Sequence, residues 1–155
     1  MHSEYVPLHL HTEYSLLDGA IKIKDLIAKA NEYKLAAIAM TDHGNLFGAI
    51  EFYKKVSKSG LKPIIGCEVY IAPKSRFDKG GSNEGETAFH LILLCKDIHG
   101  YQNLSRLVSH AYLEGFYYKP RIDKDLLAQY SGGLIGLSAC LKGEIPRYLS
   151  TGRID

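Results

Sequence analysis

Two histidines one residue apart, His9 and His11, lie in a short, mostly apolar stretch over residues 6–11. The alternation predicts a β-strand, and because strand side chains alternate between faces, both imidazoles point to the same side. Imidazole is the commonest metal ligand in proteins, and two ligands on one rigid strand lose little entropy on binding an ion. The pair therefore predicts part of a metal site, although alone it fits two solvent-facing histidines equally well.

Five further residues with metal-binding side chains follow along the chain, namely Asp18, His43, Glu68, His90 and Cys140. Glu68 is the most informative, because a carboxylate between apolar residues is rarely buried without a partner such as a cation. Taken singly, Asp18 fits an ordinary Asp-Gly turn, His90 a hydrogen-bonded core residue and Cys140 a small buried hydrophobic residue. As a set, they favour a metal centre.

Hydrophobic periodicity predicts an α/β chain in which strands alternate with helices. The predicted strands are 6–11, 35–40, 63–72, 89–95 and 134–140, and the predicted helices are 23–33, 46–59, 100–113, 124–130 and 143–149. Asp123 is expected to cap the fourth helix, and the Gly-, Lys- and Ser-rich segment 73–87 is expected to be an exposed loop.

The same alternation predicts parallel strands joined by helical crossovers. Candidate ligands at the ends of five strands favour a (β/α) barrel with its site at the mouth over an open doubly wound sheet. Five strands are fewer than the roughly eight of a regular barrel, which indicates part of a domain.

Composition excludes several other classes of protein. The 155 residues are 46% hydrophobic and 23% charged, as in globular domains, and a net charge of +2 does not by itself predict nucleic-acid binding. The sequence contains no apolar run long enough for a signal peptide or a membrane span. A cytoplasmic protein without membrane contacts is therefore expected. Three widely spaced cysteines in apolar segments predict buried thiols, or one thiolate ligand, rather than disulfides.

Taken in order, the motifs resemble the polymerase and histidinol phosphatase (PHP) domain family. They are His9-x-His11, Asp18-Gly19, Thr41-Asp42-His43-Gly44, Gly66-Cys67-Glu68, His90 and Ser138-Ala139-Cys140. Four longer runs are similar to the branch of the family found at the N-terminus of bacterial DNA polymerase III alpha subunits, namely 8–19, 40–53, 112–123 and 137–146. The resemblance covers essentially the whole chain.

This resemblance implies a distorted, TIM-like (βα)7 barrel with up to three metal ions at its mouth. By analogy His9, His11 and Glu68 hold a first ion, Glu68 with His90 and Cys140 a second, and Asp18 with His43 a third. The mixed nitrogen, oxygen and sulfur ligands suit Zn²⁺, Mn²⁺ or iron.

One motif of the family is missing from the sequence. Family members that bind three ions carry a late Asp-x-His pair, and none follows Cys140 before the chain stops at Asp155. We therefore expect residues 1–155 to be the N-terminal part of a PHP domain, with late strands, remaining ligands and polymerase domains downstream. Metal binding by this segment alone is expected to involve fewer ions, or to be weaker.

The function implied for the complete domain is metal-dependent phosphoester hydrolysis at a DNA 3′ end, that is, 3′-5′ proofreading exonuclease activity. Arg121 and Lys119 are candidates to contact phosphate, and the rest of the polymerase chain is the expected partner. Two alternatives stay open. The domain is a scaffold that docks a separate proofreading exonuclease, or it is a free-standing phosphatase for small molecules.

Overall fold

The computed structural model describes residues 2–79 and 88–152. Its helices are α1 (Ile23–Glu32), α2 (Ala49–Lys58), α3 (Ile98–Leu113), α4 (Lys124–Gln129) and α5 (Glu144–Ser150). Its strands are β1 (Ala37–Met40), β2 (Lys62–Ile71), β3 (Phe89–Cys95), β4 (Arg121–Ile122) and β5 (Leu134–Leu137). All five helices lie where the periodicity predicts them, and Asp123 caps α4 by accepting a hydrogen bond from Leu126 N.

The five described strands form one mixed sheet, in the order β1-β2-β3-β5, with β4 paired to β2. β2 is parallel to β1 and to β4, whereas β3 is antiparallel to both β2 and β5. The expectation of parallel strands throughout is therefore wrong for β3. The antiparallel direction of β3 follows from the connection before it. A parallel pair of strands needs a crossover connection, usually a helix, and the described part of the connection between β2 and β3 contains no helix.

The reversal of β3 matters for the position of His90. Tyr70 near the end of β2 pairs with His90 near the start of β3. An N-terminal residue of β3 therefore lies at the same edge of the sheet as the C-terminal residues of β2. The chain thus brings His90 toward Glu68 by a strand that runs in the opposite direction.

The segment over residues 6–11, predicted as a strand, is not one: it contains a bend at His9 and does not complete a regular ladder. It runs beside β1, where Ala39 N donates to Pro7 O and Thr41 N donates to Leu10 O. Pro7 has no N–H to return, and Leu10 N donates to the Thr41 hydroxyl rather than to a carbonyl. The segment is therefore fixed against β1 without being a strand.

Two apolar clusters hold the helices to the sheet. One lies among α1, α2 and β1, and contains the buried Ile23, Ile38 and Phe52. The other lies among β2, β3, α3 and α4, and contains Cys67 and Leu104. Among the residues that the structure describes, no helix has both the length and the apolar character required to cross a bilayer. The predicted loop 73–87 lies partly outside the described residues, and its described part contains neither helix nor strand.

Candidate metal centre

Glu68 lies within β2 with only 1% of its surface exposed. Its backbone is fixed by the residues that follow β1, because Glu68 N donates to Asp42 O and Gly44 N donates to Glu68 O. Gly44 adopts a φ of 61°, and a Cβ there would lie 2.8 Å from a side-chain carbon of Pro120. This position therefore requires glycine, and the turn it permits brings His43 beside Glu68.

Four imidazoles surround the Glu68 carboxylate. His9 Nε2 lies 2.7 Å and His11 Nε2 lies 3.6 Å from Oε2. His43 Nδ1 lies 2.9 Å and His90 Nδ1 lies 2.6 Å from Oε1. The nitrogens of His9 and His11 are themselves only 3.0 Å apart. Residues from the segment before α1, from the end of β1, from β2 and from β3 thus meet at one buried carboxylate.

The geometry fits a bound cation better than a closed hydrogen-bond network. Glu68 Oε1 and His43 Nδ1 are buried and have no hydrogen-bond partner among the described residues, although they lie 2.9 Å apart. Ligand atoms at about 2.1 Å from a tetrahedral ion are about 3.4 Å from one another, close to the separations seen here. The ligand atoms of His9, His11 and Glu68 all lie within 4.8 Å of each other, as one ion requires.

The electrostatics of the cluster keep its centre negative. Burial raises the pKa of Glu68, but contacts with the imidazoles of His11, His43 and His90 outweigh burial and lower this pKa far below its usual range. The contact with Glu68 in turn raises the pKa of His43. Glu68 is therefore a carboxylate at neutral pH, and its charge favours a cation at the centre.

Asp42 anchors the segment that carries the histidine pair. Its carboxylate is fully buried and accepts hydrogen bonds from Thr12 N, from the Thr12 hydroxyl and from the Ser15 hydroxyl, at 2.6–2.7 Å. The same Ser15 hydroxyl lies 3.2 Å from His11 Nδ1 and accepts from His43 N. Sequence reasoning missed this role, for which the only available signal is an acidic residue directly after a buried strand.

Asp18 and Cys140 lie at the edge of the cluster. Asp18 Oδ2 is 3.0 Å from His43 Nε2, and 61% of its side chain is exposed. Cys140 Sγ is 3.8 Å from His90 Nδ1. The thiol expected to be buried is exposed at Cys140, whereas Cys67 is buried and all three cysteines are free. The structure therefore places both residues next to an imidazole of the cluster, with room for solvent or substrate around them.

The two basic residues proposed to contact phosphate differ in their surroundings. Arg121, expected on a surface loop, is instead buried: it is 1% exposed, and its guanidinium donates to the carbonyls of Gly115, Arg76 and Asp78. The guanidinium thus holds these three backbone carbonyls in place by hydrogen bonds. The contact of Arg121 with phosphate stays a prediction. Lys119 lies beside the centre, half-buried, with its Nζ over the ring of Tyr70.

Comparison with models of protein families shows to which family the chain belongs. The family model described as the PHP domain matches residues 7–155. The chain belongs to the PHP domain family. All the residues of the cluster around Glu68 lie within the part of this PHP chain that matches.

Known relatives of this PHP chain are DNA polymerase III alpha subunits. It is 60% identical over 141 residues to the alpha subunit of Chlamydia trachomatis, and 56% identical over 153 residues to that of Borreliella burgdorferi. These alignments cover 91% and 99% of this chain, which spans only 11% and 13% of the two relatives. A solved amidohydrolase from Chromobacterium violaceum aligns with 68% of this chain and 32% of its own, at 23% identity and a TM-score of 0.49.

Proposed function

We propose that this chain is the N-terminal part of a PHP domain in a DNA polymerase III alpha subunit, and that the domain hydrolyses phosphodiesters at DNA 3′ ends. The observation that carries this proposal is the convergence of four imidazoles on the buried Glu68 carboxylate. The similarity to alpha subunits supports the replication context. The proposed partners are DNA and the rest of the polymerase chain.

We propose the three ligand sets that the family resemblance implies, and the atoms that lie together support them. His9, His11 and Glu68 would hold one divalent ion. Glu68 Oε1 with His90, and Cys140 beside it, would serve a second ion, and Asp18 with His43 a third. Zn²⁺ and Mn²⁺ are the proposed ions, with iron a further choice, because imidazole, carboxylate and thiolate ligands suit all three. We also propose that the mixed sheet is part of a distorted (βα)7 barrel.

Such ions supply a nucleophilic water at neutral pH and neutralise the charge that develops on a phosphoester. The residues of the chain provide the rest. Glu68, kept ionised by its neighbours, draws the cations to one point of the sheet edge. Asp42 holds the His11 segment in register through Thr12 and Ser15, and Lys119 provides a positive charge for the phosphate.

The test uses the full-length gene product, with metal content measured by elemental analysis and with digestion of a 3′-labelled primer. Glu68→Ala and His9→Ala are expected to lose bound metal and digestion while the fold is retained. His2→Ala removes an exposed histidine that is not one of the four around Glu68, and it is expected to change neither. Equal digestion by the wild type and Glu68→Ala would contradict the nuclease proposal. Bound metal without digestion would favour a scaffold that docks a separate exonuclease.

A further inference from the structure

Lys119 is a half-buried lysine that forms no salt bridge with an acidic side chain of the described residues. Its Nζ lies 4.4 Å from the centroid of the Tyr70 ring. In residues 2–79 and 88–152, no carboxylate forms a salt bridge with this ammonium. An ammonium group has three hydrogen-bond donors, and a ring face satisfies its charge only in part. The group is therefore held in one place with donors still available to an anion.

Tyr70 connects this lysine to the metal centre. The Tyr70 residue is only 6% exposed, and its ring stacks against His43 at 6.2 Å and meets His90 edge-on at 5.1 Å. The Lys119 ammonium is thus separated by a single aromatic ring from two imidazoles that contact Glu68. A fixed aromatic ring at this position decides where the positive charge lies relative to the centre.

We propose that Lys119 binds a non-reacting oxygen of the substrate phosphate, and that Tyr70 is the positioning residue that holds the Lys119 ammonium beside the metal centre. The inference rests on the proposed function, since it concerns the substrate of the same site. The inference places the phosphate of a bound phosphoester on the side of the metal centre where His43 and His90 lie. Neither Tyr70 nor Lys119 would contact the metal ions.

The test uses the full-length gene product loaded with Zn²⁺ or Mn²⁺, with inorganic phosphate as the probe and calorimetric titration as the readout. Lys119→Gln is expected to weaken phosphate binding about tenfold, the effect of one charge-assisted contact. Its metal content is expected to stay that of the wild type. Lys62→Gln is the matched control, because Lys62 is exposed at the opposite end of the strand that carries Glu68.

Variants at Tyr70 separate positioning from structural support. Tyr70→Phe keeps the ring face and is expected to bind phosphate like the wild type, whereas Tyr70→Leu is expected to lose about as much affinity as Lys119→Gln. In the Lys119→Gln background, Tyr70→Leu should cost no further affinity, since its effect passes through the ammonium. A purely structural role would give additive losses instead and would overturn the assignment of Tyr70.

Two further outcomes separate this inference from the proposed function. If Lys119→Gln binds phosphate as tightly as the wild type at full metal content, the phosphate site is wrong and the metal centre stands. If the wild type binds no metal, the proposed function and this inference both fall.

Discussion

Glu68 and Asp123 are both buried carboxylates, but their surroundings differ. Asp123 accepts hydrogen bonds from Arg76 N, from the Arg76 guanidinium and from Leu126 N at 2.9–3.1 Å, and Arg76 also binds Glu114. Glu68 is surrounded by imidazole nitrogens, and its Oε1 has no hydrogen-bond partner among the described residues. A carboxylate whose partners are a guanidinium and backbone amides is structural, whereas a carboxylate on which several imidazole nitrogens converge favours a cation site.

The largest expected effect is at the carboxylate that lacks this internal neutralisation. Glu68→Gln keeps the size of the side chain but removes the charge that attracts the ions. We expect bound metal to be lost and phosphodiester hydrolysis to fall about 10³-fold or more, since metal charge stabilisation is worth several kcal/mol. Elemental analysis and primer digestion measure both. Glu114→Gln, in the structural cluster, is the control, and a similar loss there would break the distinction between the two clusters.

Arg121 belongs to the structural part of the molecule, so its removal should affect stability and not metal. Arg121→Met leaves the carbonyls of Gly115, Arg76 and Asp78 without this donor and is expected to cost about 3 kcal/mol of local stability. Hydrogen exchange of the backbone amides in β4 measures the loss. Arg106→Met, at an exposed position on α3, should cost far less. Loss of phosphate binding with unchanged amide protection would instead support Arg121 as a contact for the substrate phosphate.

Asp42 shares a feature with each of the two clusters. Its carboxylate is hydrogen-bonded within the protein, as that of Asp123 is, yet it holds the segment that carries residues of the Glu68 cluster. Asp42→Asn keeps one acceptor oxygen and removes the charge, which loosens Thr12 and Ser15 and thereby His11. Metal affinity is expected to fall 10- to 100-fold, the usual effect of a residue that orients a ligand. Competition with a chelator measures the affinity. An unchanged affinity would mean that the His11 segment is held by its contacts with β1 alone.

The smallest expected effect is the acid sensitivity of the structural cluster. Burial raises the pKa of Asp123, but hydrogen bonds from Arg76 N, Leu126 N and the guanidinium outweigh it and lower this pKa. The stabilisation is therefore full above the unfolded value of about 3.9 and is lost as pH falls below it toward the folded value. Acid unfolding followed by circular dichroism should be less steep in that range for Asp123→Asn. Asp125→Asn, exposed on the same helix, should follow the wild type.

Much of this fold can be predicted from the sequence, because helix periodicity and buried apolar runs are local signals. The helices and the strand Phe89–Cys95 are confirmed in place. The direction of that strand could not be predicted, since it depends on the connection before it. The two-residue strand Arg121–Ile122 is too short to carry a pattern. The segment with His9 and His11 forms no regular strand, since Pro7 cannot donate a ladder hydrogen bond.

The site shows the same division between local and distant information. Residue types single out His9, His11 and Glu68, since a histidine pair and a carboxylate in an apolar strand are unusual locally. The anchoring role of Asp42 and the burial of Arg121 depend on residues about 30 and 45 positions away in sequence, so no local pattern reports them.

The most direct measurement is anomalous X-ray scattering from crystals of the full-length gene product loaded with Zn²⁺ or Mn²⁺. The account predicts an anomalous peak about 2.0–2.2 Å from His9 Nε2, His11 Nε2 and a carboxylate oxygen of Glu68. Crystals without such a peak, in which Glu68 is paired only with imidazolium groups, would contradict it.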